Sequence, residues 1–182
     1  MHINNIEIKL RITNALRVRR AIEEIADGAV EVLQQKDTYF DAGGDAYLKL
    51  REEVDARGGR PRASLIAYRR DRSAGPRPSD IRLARLEGGA ELAETLGHAL
   101  EVLVVVEKIR RLYFRGQTRI HLDEVDRLGN FLELEVVLEP GQSERDGLNI
   151  ARQLLARLDV DDAEAQTDSY RDLLQGRPVN SD

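Results

Sequence analysis

Residues Lys108–Leu138 read KIRRLYFRGQTRIHLDEVDRLGNFLELEVVL, and their spacing is that of consecutive strands joined by tight turns. Three segments are expected, Glu101–Phe114, Gln117–Asp126 and Asn130–Glu139, with turns at Arg115-Gly116 and Leu128-Gly129. In the last segment Leu132, Leu134, Val136 and Leu138 alternate with Glu133 and Glu135. A period of two puts the aliphatic side chains on one face and the carboxylates on the other. The middle segment repeats the device with Arg119, His121 and Asp123, and the first with Lys108 and Arg110.

The same pattern extends outward from this meander. Ile6, Ile8, Leu10 and Ile12 alternate with Asn5, Glu7, Lys9 and Arg11 near the amino terminus. Thr13 or Asn14 then caps a helix whose apolar face is read as Leu16, Ala21, Ile22 and Ile25, stopped by Gly28. A strand through AVEVLQQKDTYF ends at the turn signal DAGGD, and Tyr47–Glu53 alternates again, with Lys49, Arg51 and Glu53 opposite Leu48 and Leu50. ASLIAYRRDR reads as a further strand carrying Tyr68 and Arg70, and a short one follows the loop SAGPRPS around Ile81–Leu86. GGAELAETLGHAL reads as an amphipathic helix. Ser143 and Asp146 form a capping-box signature for a helix through Leu148, Ala151, Leu155 and Leu158. DSYRDLL is a last short helix before a polar tail.

About eight mostly antiparallel strands with three or four helices make this an α+β protein, expected as an eight-stranded antiparallel β-barrel tunnel with flanking helices. Closure removes the edge strands of such a sheet. One domain over residues 1–176 with a polar tail at 177–182 is the expected organisation.

Composition narrows the function. The 182 residues carry a net charge of −5, so the chain lacks the basic footprint of a nucleic-acid binder. No apolar run is long enough to span a bilayer and no signal sequence is evident, which points to a cytoplasmic protein. The chain has no cysteine, which excludes disulfides and thiolate chemistry, and its three histidines are far apart. Of 28 basic residues only Lys9, Lys36, Lys49 and Lys108 are lysines, marking sites where a point charge is wanted.

The charged strand faces carry the functional reading. A single such face is most simply a solvated surface, but here six strands share it. Lys9, Arg11, Lys49, Arg51, Arg70, Lys108, Arg110 and Arg119 stand against Glu7, Glu53, Asp123, Glu133 and Glu135. If the sheet closes, so many enclosed charges need pairing, hydration or a ligand. The basic excess suits a phosphate-rich ligand, and the carboxylates suit a hard divalent cation such as Mg²⁺ or Mn²⁺.

At these residues the sequence resembles the CYTH superfamily, the triphosphate tunnel metalloenzymes that include class IV adenylyl cyclases and thiamine triphosphatases. NIEIKLR resembles the family's E-x-E-x-K signature. KDTYF, YLKLRE and LIAYRR fall where its basic strands would, and the opening block is the most specific match. The closing SYRDLL is similar to a carboxy-terminal motif of one subgroup. The resemblance implies a tunnel in which Lys9, Arg11, Lys49, Arg51, Arg70, Lys108, Arg110 and Arg119 bind the phosphates. It implies Glu7, Asp123, Glu133 and Glu135 as metal ligands, and Lys9 and Asp123 as catalytic residues. Asn5 departs from the signature, standing where its first Glu should be.

Three functions are therefore weighed. The first is metal-dependent hydrolysis of a triphosphate such as tripolyphosphate, ATP or thiamine triphosphate. The second is adenylyl cyclase chemistry, giving cyclic AMP and pyrophosphate. The third, motivated by Asn5, is a catalytically weak polyphosphate- or nucleotide-binding module. His121 reads as a hydrogen-bonding lining residue. Arg17, Arg19 and Arg20 read as a solvated helix face, with a homodimer contact as the alternative.

Overall fold

Eight strands and four helices alternate along the chain in the computed structural model, which describes residues 5–44, 46–69, 80–161, 166 and 168–176. In chain order they are β1 (Asn5–Ile12), α1 (Ala15–Ile25), β2 (Glu31–Asp41), β3 (Ala46–Asp55), β4 (Arg62–Arg69) and β5 (Asp80–Leu86). There follow α2 (Ala90–Ala99), β6 (Val102–Arg115), β7 (Thr118–Val125), β8 (Gly129–Val137), α3 (Glu144–Arg157) and α4 (Tyr170–Gln175). The strands form one antiparallel sheet in the order β1-β8-β7-β6-β2-β3-β4-β5, so the first and last strands in sequence are neighbours. This is the α+β class with an eight-stranded antiparallel sheet and flanking helices that the alternation predicts. Arg70, the SAGPRPS loop and the tail 177–182 lie outside the described residues. Among the described residues, no helix is long and apolar enough to cross a membrane.

The chain divides into two compact units, one of residues 1–31, 110–125 and 129–167, the other of 32–109, 126–128 and 168–182. In the first, Ile6 pairs with Val136, Ile8 with Leu134 and Leu10 with Leu132, and Ile120 and Leu122 of β7 join the same aliphatic face. Helices α1 and α3 cover that face and complete its core. Each fully buried Leu or Ile there contributes about 1.5–3 kcal/mol of transfer free energy.

One helix face differs from the expectation. Leu16 is 71% exposed, while Val18 and Ile22 are the buried residues of α1. Val18, Ile22 and Ile25 follow the i, i+4, i+7 stripe, and Leu16 lies two residues off it. Asn14, not Thr13, is the cap, its side chain accepting from the Arg17 amide at 3.0 Å. Helix α3 starts with the Ser143–Asp146 capping box and buries Ala151, Leu154 and Leu155. Gly147 sits where a Cβ would lie 2.6 Å from both Ile6 and Leu138, so the helix approaches the sheet at a position without a side chain.

In the second unit Phe40, Leu50 and Ala63 are buried, with Leu65, Leu86 and the α2 residues Leu92 and Leu96 packed against them. Helix α4 carries its own capping box, Ser169–Asp172, and ends at Gly176, whose φ of 63° is the left-handed conformation glycine tolerates. Within each unit the helices take the aliphatic face of the strands. The charged residues are left on the opposite face.

Candidate active site

In the first unit, register places the charged residues of three strands side by side. Lys9 pairs with Glu133, which in turn pairs with His121, while Glu7 pairs with Glu135, which pairs with Arg119. The Lys9 ammonium is 3.8 Å from Glu133 and 4.0 Å from Glu7. His121 Nδ1 is 2.9 Å from Glu133 Oε1, and Arg110 approaches the same carboxylate at 3.7 Å. Burial pushes the Glu133 carboxyl up, but the His121 hydrogen bond, Arg110 and Lys9 outweigh it and hold the group well below the usual carboxylate range. Glu133 is therefore an anion in the folded protein.

Arg110 grips Asp123 with two hydrogen bonds, Nε to Oδ1 at 2.7 Å and Nη2 to Oδ2 at 2.6 Å. Asp123 is 0% exposed. A bidentate pair of this kind fixes the guanidinium plane as well as neutralising it. Arg119 donates to Glu135 at 3.1 Å, and the Asn5 amide nitrogen donates to the same carboxylate at 2.8 Å. Arg11 is exposed, its guanidinium 4.9 Å from the Phe131 ring centroid.

The second unit has its own charged centre, built on Asp37 of β2. This carboxylate is 2% exposed and accepts from Arg51 Nε and Nη2, both at 2.7 Å, and from Lys49 at 3.0 Å. Lys108 of β6 lies 3.7 Å away. Burial alone would raise the Asp37 carboxyl; Lys49, Arg51 and Lys108 reverse the sign and hold it well below its ordinary value. Aromatic rings surround the cations, with Tyr39 5.4 Å from Lys49 and Tyr170 5.1 Å from Lys108. Tyr47 and Tyr68 stack at 5.0 Å, and Arg171 of α4 stands 4.6 Å from Tyr47.

Residues 4–170 fit the CYTH domain. The chain belongs to the CYTH family. This CYTH protein is 23% identical over 179 residues to the adenylate cyclase CyaB of Aeromonas hydrophila, covering 97% of this chain and 92% of that one. Among solved structures it is similar to the PH1012 protein of Pyrococcus horikoshii OT3, with a TM-score of 0.74 at 21% identity, covering 93% of this chain and 99% of that one. It is also similar to HpAC1 from Hippeastrum, an adenylyl cyclase candidate described as having a dominant triphosphatase activity. That match has a TM-score of 0.62 at 14% identity, covering 97% of this chain and 98% of that one.

Against the CYTH resemblance, the predicted residues fall into distinct groups. Lys9, Glu7, Glu133, Glu135, Arg119, Arg110 and Asp123 share the charged sheet face of the first unit, and Lys49, Arg51 and Lys108 converge in the second. Arg70 is outside the described residues. Asp37 is the residue that sequence reading missed. It shares the phase of Gln35 and Tyr39 on β2, but AVEVLQQKDTYF has no clean alternation to reveal that phase.

Among the described residues, no three acidic or histidine side chains form a preassembled cation cage. The chemistry of the donors nonetheless fits a hard divalent ion. Glu7 stands directly opposite Glu135, and like charges so placed are unfavourable. The Glu7 carboxyl is raised by partial burial, then by Glu133 and Glu135, with Lys9 opposing, although its side chain is 53% exposed. Carboxylate oxygens that repel one another are what a bound Mg²⁺ or Mn²⁺ would draw together. At the departing signature position, the Asn5 amide nitrogen donates to Glu135.

Proposed function

We propose that this CYTH protein hydrolyses a triphosphate in the presence of Mg²⁺ or Mn²⁺. The observation that carries the reading is the convergence of Lys49, Arg51 and Lys108 on the single carboxylate of Asp37. Three cations meeting on one buried carboxylate form a basic cluster suited to a polyphosphate chain. Lys49, Arg51 and Lys108 of the second unit bind and neutralise phosphate oxygens; Lys9, Arg110 and Arg119 are the basic residues of the first unit to which the CYTH resemblance gives the same role. Charge neutralisation and positioning dominate the catalysis of phosphoryl transfer. Asp123 acts by holding the Arg110 guanidinium in one plane. Glu7, Glu133 and Glu135 would hold the divalent ion, which supplies charge neutralisation at phosphate and a lowered pKa for bound water.

A second reading, adenylyl cyclase chemistry, is favoured by the likeness to the Aeromonas hydrophila adenylate cyclase. There a ribose hydroxyl replaces water and pyrophosphate leaves. Product analysis separates the two. Purified protein is offered tripolyphosphate and ATP separately, each with Mg²⁺ or Mn²⁺. Orthophosphate from tripolyphosphate supports the hydrolase; cyclic AMP with pyrophosphate from ATP replaces it with the cyclase. Binding without either product leaves a binding module, the reading that Asn5 suggests.

A further inference from the structure

Asp37 faces cations from two other strands. Lys49 and Arg51 approach from β3 and Lys108 from β6, while β2 adds Tyr39 and α4 adds Tyr170 around the same groups. The side chain of Lys108 is almost completely buried and that of Lys49 largely so. Buried ammonium groups beside other cations tend to lose their protons, because both burial and like charge disfavour the charged form. A neutral lysine brings no charge to phosphate binding and only a weaker hydrogen bond. Some anion must therefore hold the protons when no phosphate is present, and Asp37 has the geometry to do so. Its two oxygens also take both donors on one edge of Arg51, which sets the plane of that guanidinium.

We propose that Asp37 is a positioning residue that keeps Lys49 and Lys108 charged and aims Arg51, so that all three present a preformed phosphate grip. The inference rests on the triphosphate reading above and adds to it a residue that does not touch substrate. Asp37 is an anion beside a phosphate site, so it weakens the field that phosphate meets. In return the grip stays protonated as pH rises, and affinity changes little across the neutral range.

The test exploits the scarcity of lysine. With four lysines in the chain, protein carrying ¹³C at lysine Cε gives four side-chain NMR signals. These are followed against pH in the full-length wild type and in Asp37→Asn, with Lys36, exposed on β2, as the internal reference. In D37N, Lys49 or Lys108 should titrate at least about one pH unit lower than in the wild type. Tripolyphosphate affinity in D37N should then fall by up to about tenfold per pH unit above the lowered lysine titration, while in the wild type it stays nearly level over the same range. Asp37→Glu, which keeps the charge, should restore the high lysine titration. Unchanged lysine titration in D37N overturns the proposal, whatever happens to stability. A lowered titration in protein that binds no tripolyphosphate at any pH overturns the triphosphate reading and leaves Asp37 as the anion that charges the lysines. Should D37N not fold, combining it with Lys108→Met removes one cation along with the anion, and Lys49 carries the same readout.

Discussion

Asp37 illustrates how much a single buried carboxylate contributes when three cations meet on it. Removing one partner of a buried ion pair costs about 3–5 kcal/mol, because the remaining charges are left without compensation. Asp37→Ala should lower stability by that order in urea unfolding at neutral pH. The pH dependence has a definite sign. The folded-state value of Asp37 is depressed, so its stabilisation is fully present above the unfolded carboxylate value of about 4. It is lost as pH falls through the folded value. Acid titration of unfolding should show this loss in the wild type and a flatter curve in the Asp37→Ala variant. Glu7 has the opposite sign. Its value is raised, so its ionised form disfavours the fold above that value. Glu7→Gln should raise the melting temperature of metal-free protein at neutral pH and shrink the further rise produced by Mg²⁺ or Mn²⁺. A lower melting temperature for metal-free E7Q would contradict this account of Glu7.

Individual elements show where local rules suffice and where packing overrides them. The capping box of α3 is a local device. Ser143 accepts from the Asp146 amide while Asp146 accepts from the Ser143 amide, and Ser143→Ala should cost about 1 kcal/mol. Gly147 lies one residue further along the same helix. On helix propensity alone, Gly147→Ala should stabilise by about 1 kcal/mol. The added methyl would meet Ile6 and Leu138 at 2.6 Å, however, and overpacking typically costs about 1–3 kcal/mol. The expected result is net destabilisation, read as a lower urea midpoint with an unchanged slope; a stabilised variant would mean that α3 shifts away from the sheet freely. Helix α1 shows the same contest, since its apolar composition includes Leu16 but its packing selects Val18.

For the whole molecule, the charged faces make a prediction about ligand linkage. A ligand bound to the folded state alone adds RT ln(1 + [L]/Kd), about 2.7 kcal/mol at a hundredfold excess over Kd. Wild-type protein should therefore melt higher with tripolyphosphate and Mg²⁺ together than with either alone, and a chelator should abolish the extra rise. Glu133→Ala should remove the metal-dependent part, and turnover that keeps its metal dependence would take Glu133 out of the ligand set. This variant also leaves Lys9, His121 and Arg110 beside a lost anion, so its metal-free stability falls too.

Most of the fold was legible in the amino-acid order because a strand's period of two is a local property. The alternation of Leu132, Leu134 and Val136 with Glu133 and Glu135 tells which side chains share a face wherever that strand is placed. The same holds for β1, and the capping box of α3 needs only residues three apart. Partnerships across strands are a different matter, because they depend on register and strand order. Nothing near Asp37 in sequence reveals that Lys49, Arg51 and Lys108 converge on it, since Lys108 arrives from a strand 71 positions later. That Asp123 holds Arg110, or that Asn5 donates to Glu135 across 130 positions, was likewise decided only by long-range pairing. Where the alternation is strict, as in β1 and β8, the sequence by itself determined which residues face the charged side of the sheet. Tertiary structure decided which charge neutralises which, because electrostatic energy depends on distances of a few ångströms that only the folded chain sets.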